Sequence, residues 1–279
     1  AVLLAAVIWA VYALMGPGFE SSSLIHHLGE TAEILFFLLG AMTIVEIIDK
    51  HDGFSIITDR ITTTSKRKLL WIISILTFFM SAVLDNLTTS IVMCALLRKL
   101  VGDKNTRWFF AGMVILAANA GGAWSPIGDV TTIMLWIKGN ITAGSIILET
   151  IIPSLVSLLV PVAIIGMTMK GKLERPEKVE SEEISTVTRK QSLIILIMGV
   201  GLLLFVPFFK TITHLPPYLG ILFGLGILWI TTEIMHKNNP ANYSRLNVTA
   251  IIQKVDVPSV LFFLGILMAV SCLNEAGHL

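Results

Sequence analysis

The sequence predicts an all-α polytopic membrane protein, built from two inverted copies of one helical unit. Three observations predict this fold: an apolar composition, a one-sided placement of basic residues, and a short internal repeat. Of the 279 residues, 54% are hydrophobic and only 14% are charged, whereas roughly a quarter of the residues in a soluble domain are charged. A chain of this composition is expected to lie in a lipid bilayer.

The apolar residues fall into eight blocks, and a crossing helix needs about 20 of them. The third block, 69–101, is too long for one crossing and too short for two, and the polar run Asp85-Asn86-Leu-Thr88-Thr89 lies at its middle. We therefore predict a re-entrant hairpin that enters and leaves on one side, because irregular backbone is tolerated at membrane depth only inside protein or along a cavity. The blocks are about 1–15, 33–48, 69–101, 108–137, 145–169, 192–209, 218–236 and 258 to the end.

The placement of basic residues favours the hairpin. If block 69–101 is re-entrant and every other block crosses once, 18 of the 20 Lys and Arg lie on one side, in the loops 49–68, 98–107, 170–191 and 237–257. Only Lys138 and Lys210 remain for the opposite loops. Basic residues concentrate on the cytoplasmic side of membrane proteins, so these four loops are predicted to be cytoplasmic.

Block 108–137 is predicted to be a discontinuous helix. Pro126 removes a backbone donor, and Gly121, Gly122 and Gly128 favour bends at the same place. A broken helix leaves backbone carbonyls free on one half and amides free on the other, and these groups bind ions in transport proteins. We assign the three glycines and the proline this structural role.

An internal repeat divides the chain. The pattern Leu35-Phe36-Phe37-Leu38 with Met42 recurs 226 residues later as Leu261-Phe262-Phe263-Leu264 with Met268. By the charge count the two copies run in opposite directions, which indicates an inverted repeat. We expect a first repeat over 1–169, a cytoplasmic linker over 170–191, and an incomplete second repeat over 192–279, whose own hairpin and broken helix would lie beyond Leu279.

Two acids inside apolar blocks are the main candidates for function. A carboxylate in a membrane segment costs at least a few kcal/mol and is usually retained for an ion, a proton or a partner, which singles out Asp85 and Asp129. Hard cations such as Na+ take oxygen ligands, and the polar runs supply carboxylates, amides and hydroxyls. The predicted Na+ site at Asp85 and Asp129 has these candidate ion-binding and proton-coupling residues: Asp85, Asn86, Thr88, Thr89, Asn119, Ser125, Asp129, Thr131 and Thr132.

Structural roles compete with these assignments. Asn, Thr and Asp accept backbone N–H bonds at helix starts, so simple helix capping is the competing, less favoured interpretation of Asn86, the threonines and Asp129. Asp85, at the middle of an apolar run, is harder to explain in this way. Glu33 and Glu46 are candidates for proton access, although Glu46 lies near the cytoplasmic end of its block, where solvation is the ordinary state of an acid.

With the motifs SAVLDNLTTSIVM and AANAGGAWSPIGDVTTIMLW, the chain resembles the NhaD-type sodium/proton antiporters of the ion transporter superfamily. The resemblance also covers LPPYLGILFGLGILW and LFFLGILMAVSCLNEAG. It implies exchange of Na+ or Li+ for H+ in a bacterial inner membrane or, as an alternative, a plastid envelope. The ion-site positions that it implies are Asp85, Asn86, Asn119, Asp129, Thr131 and Thr132, while the family's second Asp-Asn pair is absent from these residues.

Two other functions remain open at this stage. A dicarboxylate or oxyanion carrier of the same superfamily is disfavoured, because the stretches 69–97 and 108–137 contain two acids and no Arg or Lys. An intramembrane aspartyl protease is more remote, since its Gly-x-Gly-Asp signature is replaced by Pro126-Ile-Gly-Asp129. We expect no enzyme activity and no cofactor beyond the transported ions. The expected partners are the bilayer, Na+, Li+ and H+, with a homodimer left open; the net charge of +1 gives no reason to expect nucleic acid.

Overall fold

The computed structural model describes residues 1–15, 19–173, 187–237 and 246–277. Within these residues the regular structure is α-helical, apart from one isolated antiparallel bridge between Ser65 and Lys172. Six of the described helices are long and apolar enough to cross a membrane. The prediction of an all-helical, multi-pass membrane protein is therefore confirmed.

Every predicted apolar block is helical, and both long blocks divide at their polar motifs. Block 69–101 becomes α4 and α5, which meet at Asp85, and block 108–137 becomes α6 and α7, separated by 123–129. The helices are α1 (Val2–Met15), α2 (Ser21–Lys50), α3 (Ser55–Thr58), α4 (Lys66–Leu84), α5 (Asn86–Leu100), α6 (Lys104–Gly122), α7 (Val130–Ile137), α8 (Ala143–Thr168), α9 (Arg189–Thr213), α10 (Pro217–His236), α11 (Val248–Ile252) and α12 (Val257–Glu275).

Helices α2 and α9 extend furthest beyond their predicted blocks. Helix α2 begins at Ser21, twelve residues before block 33–48, and helix α9 continues to Thr213. Lys210 was placed in an outer loop, but it lies in the last turn of α9. The limits of the predicted blocks came from hydropathy alone. Polar residues at the end of a helix can continue its backbone hydrogen bonding although they do not belong to the apolar block.

The helices pack in two groups. In the first, α4 lies against α5 and α6, and α8 packs on α4 and α6. In the second, α2 packs on α9, α10 and α12, while α1 covers α12. Helix α4 also contacts α9 and α2, so the polar junctions of the first group face the second.

The linker is described only at its two ends, because residues 174–186 lie outside the described residues. At its start, the Leu173 amide donates to the Thr64 carbonyl at 2.7 Å, and the Lys66 amide donates to the Gly171 carbonyl at 3.3 Å. At its end, Thr188 caps α9 through the amide of Gln191. The first residues of this segment are thus fixed beside the beginning of α4.

The two copies of the internal repeat lie on α2 and α12, and these two helices pack against each other. The equivalent positions of the two copies have similar exposure: Phe36 and Phe262 are both exposed, whereas Phe37 is buried and Phe263 is partly buried. The inversion of the second copy, and the entry and exit of α4 and α5 on one side, stay predictions.

Candidate ion-binding site

Asp85 is the single residue between α4 and α5. Its backbone has φ 78° and ψ 157°, a conformation that is essentially reserved for glycine. One carboxylate oxygen accepts the Thr88 amide and the other accepts the Thr88 hydroxyl, both at 2.8 Å. Asp85 is therefore the N-cap of α5, and its side chain holds the strained junction together.

Asp129 has the same role at the second interruption. It precedes α7, and its Oδ1 accepts the amide of Thr131 at 2.8 Å and the hydroxyl of Thr131 at 2.6 Å. The hydroxyl of Thr132 donates to the Asp129 carbonyl at 2.8 Å. Asp129 is therefore the N-cap of α7, and the hydroxyls of Thr131 and Thr132 donate to Asp129 rather than capping the helix themselves.

Asn86 brings the two interruptions together. Its side-chain amide donates to the Asp129 carboxylate and, at 3.0 Å, to the side-chain oxygen of Asn119. Asn119 in turn donates to the Ile115 carbonyl at 2.9 Å, within its own helix. One carboxylate and two amide side chains from α5, α6 and the start of α7 thus converge at one place, beside the cap at Asp85.

Close contact between α4 and α6 makes this convergence possible. A side-chain carbon at Gly121 would lie only 2.8 Å from the Phe78 Cα, and at Gly128 it would lie 2.8 Å from the Ser81 carbonyl oxygen. The Ser81 hydroxyl donates to the Ala118 carbonyl at 2.6 Å. Gly121 lies inside α6, so these contacts require small residues for close packing of α4 on α6, and the predicted helix-break role of the glycines stays a prediction.

Two of the predicted ligands, Ser125 and Thr89, differ in the hydrogen bonds of their hydroxyl groups. The Ser125 hydroxyl donates to the Ala82 carbonyl at 2.5 Å and accepts the Ile127 amide at 3.3 Å, so it ties the break after α6 to the end of α4. Thr89 is fully buried, and its hydroxyl has no hydrogen-bond partner among the described residues. A buried hydroxyl without a partner is uncommon and is available to a ligand.

The ends of four helices meet at this site. Helices α5 and α7 begin there, and their free amides and dipoles favour the carboxylates that cap them. Helices α4 and α6 end there, and the carbonyls of a last helical turn lack intrahelical partners. Carboxylate, amide and carbonyl oxygens therefore surround the same region, and hard cations prefer such ligands.

Helix α2 closes the site from the second group of helices. A small cavity of about 10 Å³, room for roughly one water, is lined by Asp85 together with Phe37 and Met42 of α2. Glu33 lies one turn before Phe37, and Glu46 lies one turn after Met42. Glu46 is paired with Lys50 at 3.3 Å, and Glu33 interacts electrostatically with Lys210. The two glutamates bracket the part of α2 that faces Asp85.

Lys210 is a residue that the sequence reasoning missed. Its ammonium group donates to the Trp136 carbonyl near the end of α7 and lies 4.5 Å from the centre of the Trp136 ring. In the sequence, Lys210 differs from most other basic residues because it follows Phe208 and Phe209 and lies outside the four basic loops. A lysine at the end of an apolar stretch is a functional candidate for the same reason as the two aspartates.

A family model described as CitMHS, citrate transporter, matches residues 1–279. Sodium/proton antiporters 1 and 2 of Arabidopsis thaliana are 47% and 44% identical to the chain, over 99% and 100% of its length. The Na(+)/H(+) antiporter NhaD of Vibrio cholerae is 31% identical over the whole chain. The matches cover 48%, 67% and 64% of these three proteins, so the chain spans about half to two thirds of the length of its curated relatives.

Proposed function

Because the chain belongs to the CitMHS family of membrane transporters and is related to NhaD-type sodium/proton antiporters, we propose that the protein exchanges Na+ or Li+ for H+ across a membrane. The observation that carries the proposal is the Asn86 amide, which joins the Asp129 carboxylate to the junction at Asp85. This contact supports a shared site for the two acids and their amide neighbours. The relatives are named as transporters, and no enzymatic step is proposed.

The proposed mechanism is competition between a cation and protons for the same carboxylates. A proton and a Na+ ion are alternative positive charges for the same carboxylates, so binding of one would displace the other. Asp85 and Asp129 would supply the charge, and Asn86 and Asn119 would supply amide oxygens. Thr88, Thr89, Thr131, Thr132 and Ser125 would orient the acids or complete the ligand set. Alternating exposure of such a site to the two sides gives antiport.

Carriage of citrate is the second candidate, since the family model is described as a citrate transporter. A multiply charged anion needs positive groups or free helix N-termini. Here the N-termini of α5 and α7 are already occupied by Asp85 and Asp129. The cation is therefore the better fit, and citrate is included as an arm of the test.

The proposed architecture is the inverted repeat with a re-entrant α4–α5 hairpin, divided at 1–169, 170–191 and 192–279. The count of basic residues and the sharp junction at Asp85 support it. Single cysteines at Lys66 and Arg98 would be labelled from the same side of the membrane if the hairpin is re-entrant. Labelling from opposite sides would contradict it.

The first experiment uses full-length protein in liposomes that contain a pH dye and an acid interior. Na+, Li+, K+ or citrate is added outside to the wild type and to Asp85→Asn, Asp129→Asn and Asp103→Asn. Asp103 is the matched control, because it caps α6 through the Thr106 amide at 2.7 Å but is exposed. Asparagine keeps a helix cap in each variant.

We expect Na+ and Li+ to raise the interior pH in the wild type and in Asp103→Asn, and to have no effect in the other two variants. A pH response to citrate alone would move the protein to the carrier function. Equal activity of Asp85→Asn and Asp129→Asn with the wild type would show that the two acids serve only as caps.

The host membrane and the oligomeric state belong to the same proposal. A bacterial inner membrane is the primary assignment, and the identity of 47% to a plant antiporter supports the plastid envelope as the alternative. Fractionation of the source cells decides between them. The homodimer stays a prediction that native mass spectrometry of the full-length protein would check.

A further inference from the structure

Helix α7 carries candidate ligands at one end and a lysine contact at the other. It contains eight residues and begins directly after Asp129, with Thr131 and Thr132 in its first turn. Near its other end the Trp136 carbonyl accepts a hydrogen bond from the ammonium group of Lys210 on α9. At 1.5 Å per residue the helix is about 12 Å long, so both ends belong to one short rigid unit.

The end of α7 at Trp136 is held from three directions. Trp136 is 3% exposed, and its ring packs edge-on against Phe37 of α2, with 6.5 Å between the ring centres. The Lys210 ammonium lies over the same ring, 4.5 Å from its centre. The Trp136 carbonyl also accepts the Gly139 amide at 3.2 Å.

Electrostatic interactions also favour the position of the Lys210 ammonium group at the C-terminal end of α7. A cation at the C-terminal end of a helix interacts favourably with the helix dipole, and a lysine over an indole ring gains a cation–π interaction. Lys210 is half-buried and also faces Glu33, which lies one turn before Phe37 on α2. Its ammonium group therefore has a defined position, with a carbonyl, a ring and a carboxylate around it.

Lys210 connects two parts of the chain. Helix α7 precedes the 170–191 segment and belongs to the region that contains the polar junctions, whereas α9 follows that segment and packs with α2 and α10. A displacement of the Trp136 end of α7 would move Asp129 at the opposite end, because eight residues leave little length in which to bend.

We propose that Lys210 is a positioning residue for the ion site: it anchors the C-terminal end of α7 and so sets the place of Asp129 and Thr131. This inference rests on the proposed cation exchange for its transport readout. Its structural readout, the order of α7, does not depend on that function.

The neighbouring Lys138 offers a matched control. It directly follows α7, is exposed, and pairs with Glu30 at 3.4 Å. Replacing it removes one positive charge from the same end of the same helix without removing the contact with the Trp136 carbonyl. A nonspecific effect of charge would therefore affect both lysine variants alike.

The test compares Lys210→Met, Lys210→Arg and Lys138→Met in the full-length protein. We expect Lys210→Met to raise the Na+ concentration for half-maximal exchange by about fivefold to tenfold, with Lys210→Arg within about twofold of the wild type. Amide hydrogen exchange over 130–140 should become faster in Lys210→Met and stay unchanged in Lys138→Met. Unchanged amide exchange in Lys210→Met, or equal effects of both methionine variants, would overturn the proposal.

If Lys210→Met folds poorly, a second test still shows whether Lys210 anchors α7. Lys210→Cys is made in a background without other reactive cysteines and is then aminoethylated, which restores an ammonium group at nearly the length of lysine. Recovery of slow amide exchange over 130–140 after the modification supports the anchor, and no recovery refutes it. A wild type that exchanges no Na+ would refute the proposed function while the amide-exchange result still decides the role of Lys210.

Discussion

Asn86 donates its side-chain amide to the Asp129 carboxylate, which lies 43 residues later in the chain. The same amide also donates to Asn119, so one side chain links the start of α5, the last turn of α6 and the start of α7. This bond connects the two polar interruptions directly, at the carboxylate that caps α7. It converts two separate helix caps into one candidate site.

Replacing Asn86 should weaken cation binding. Asn86→Ala removes an amide oxygen and the donor to a carboxylate, and a hydrogen bond to a charged group contributes about 1.5–3 kcal/mol. We expect the Na+ concentration for half-maximal exchange to rise by roughly tenfold to a hundredfold. The control is Ser90→Ala, which removes only a bond to the Asn86 carbonyl at 2.7 Å. An equal effect of the two variants in the liposome assay would contradict a special role for Asn86.

Substitutions at Asp85 should separate its backbone role from its charge. Its φ of 78° favours glycine, so Asp85→Ala should be less stable than Asp85→Gly by about 1–3 kcal/mol. Both variants lose the carboxylate, so both should lack Na+/H+ exchange. Thermal unfolding in detergent and the liposome assay measure the two effects. If Asp85→Gly exchanged Na+ normally, the carboxylate would have no part in transport.

The close approach of α4 and α6 predicts opposite effects of two glycine substitutions on one helix. Gly121→Ala forces a methyl group against the Phe78 backbone and should destabilise the protein by about 1–3 kcal/mol or more. Gly112→Ala on the same helix meets nothing within 4 Å and should stabilise it by up to about 1 kcal/mol. Melting temperatures of the purified variants check this contrast. Similar temperatures for both would mean that α4 and α6 are not in close contact.

His51, just after α2, should make stability depend on pH. Its Nδ1 donates to the Ile47 carbonyl at 2.7 Å, which leaves its Nε2 to accept from the Nε2 of His236 at 2.9 Å. Burial lowers the pKa of His51 from 6.5 to about 4. Its contribution to stability is therefore complete above pH 6.5 and is lost as the pH falls toward 4, because the unfolded chain binds the proton first.

The pKa difference at His51 corresponds to roughly 3 kcal/mol of stability between about pH 7 and about pH 4. Unfolding of the wild type and His51→Gln should be followed across this range, and the variant should show the weaker pH dependence. His26→Gln is the control, since His26 is exposed on α2 and pairs with Glu30 at 3.3 Å. Equal pH dependence of all three proteins would exclude a buried, neutral His51.

The sequence by itself determined the apolar helices and the positions of their breaks, because both depend on local chemistry. In a bilayer, the backbone N–H and C=O groups of an apolar run must form hydrogen bonds within the protein, as they do in a helix. The polar run at Asp85 and the segment 123–129, which contains Pro126 and Gly128, interrupt the helices where they stand. For the same reason, Asp129 was recognised in advance both as a candidate ligand and as a candidate cap.

Only the tertiary structure decided which side chains meet. The bonds from Asn86 to Asp129, from Lys210 to Trp136 and from His51 to His236 span 43, 74 and 185 residues. Contacts between distant residues depend on how helices cross, and no periodicity within one helix encodes the register of its neighbour. Hydropathy therefore placed Lys210 in a loop, whereas the packing of α9 against the rest of the protein brings its ammonium group to the end of α7.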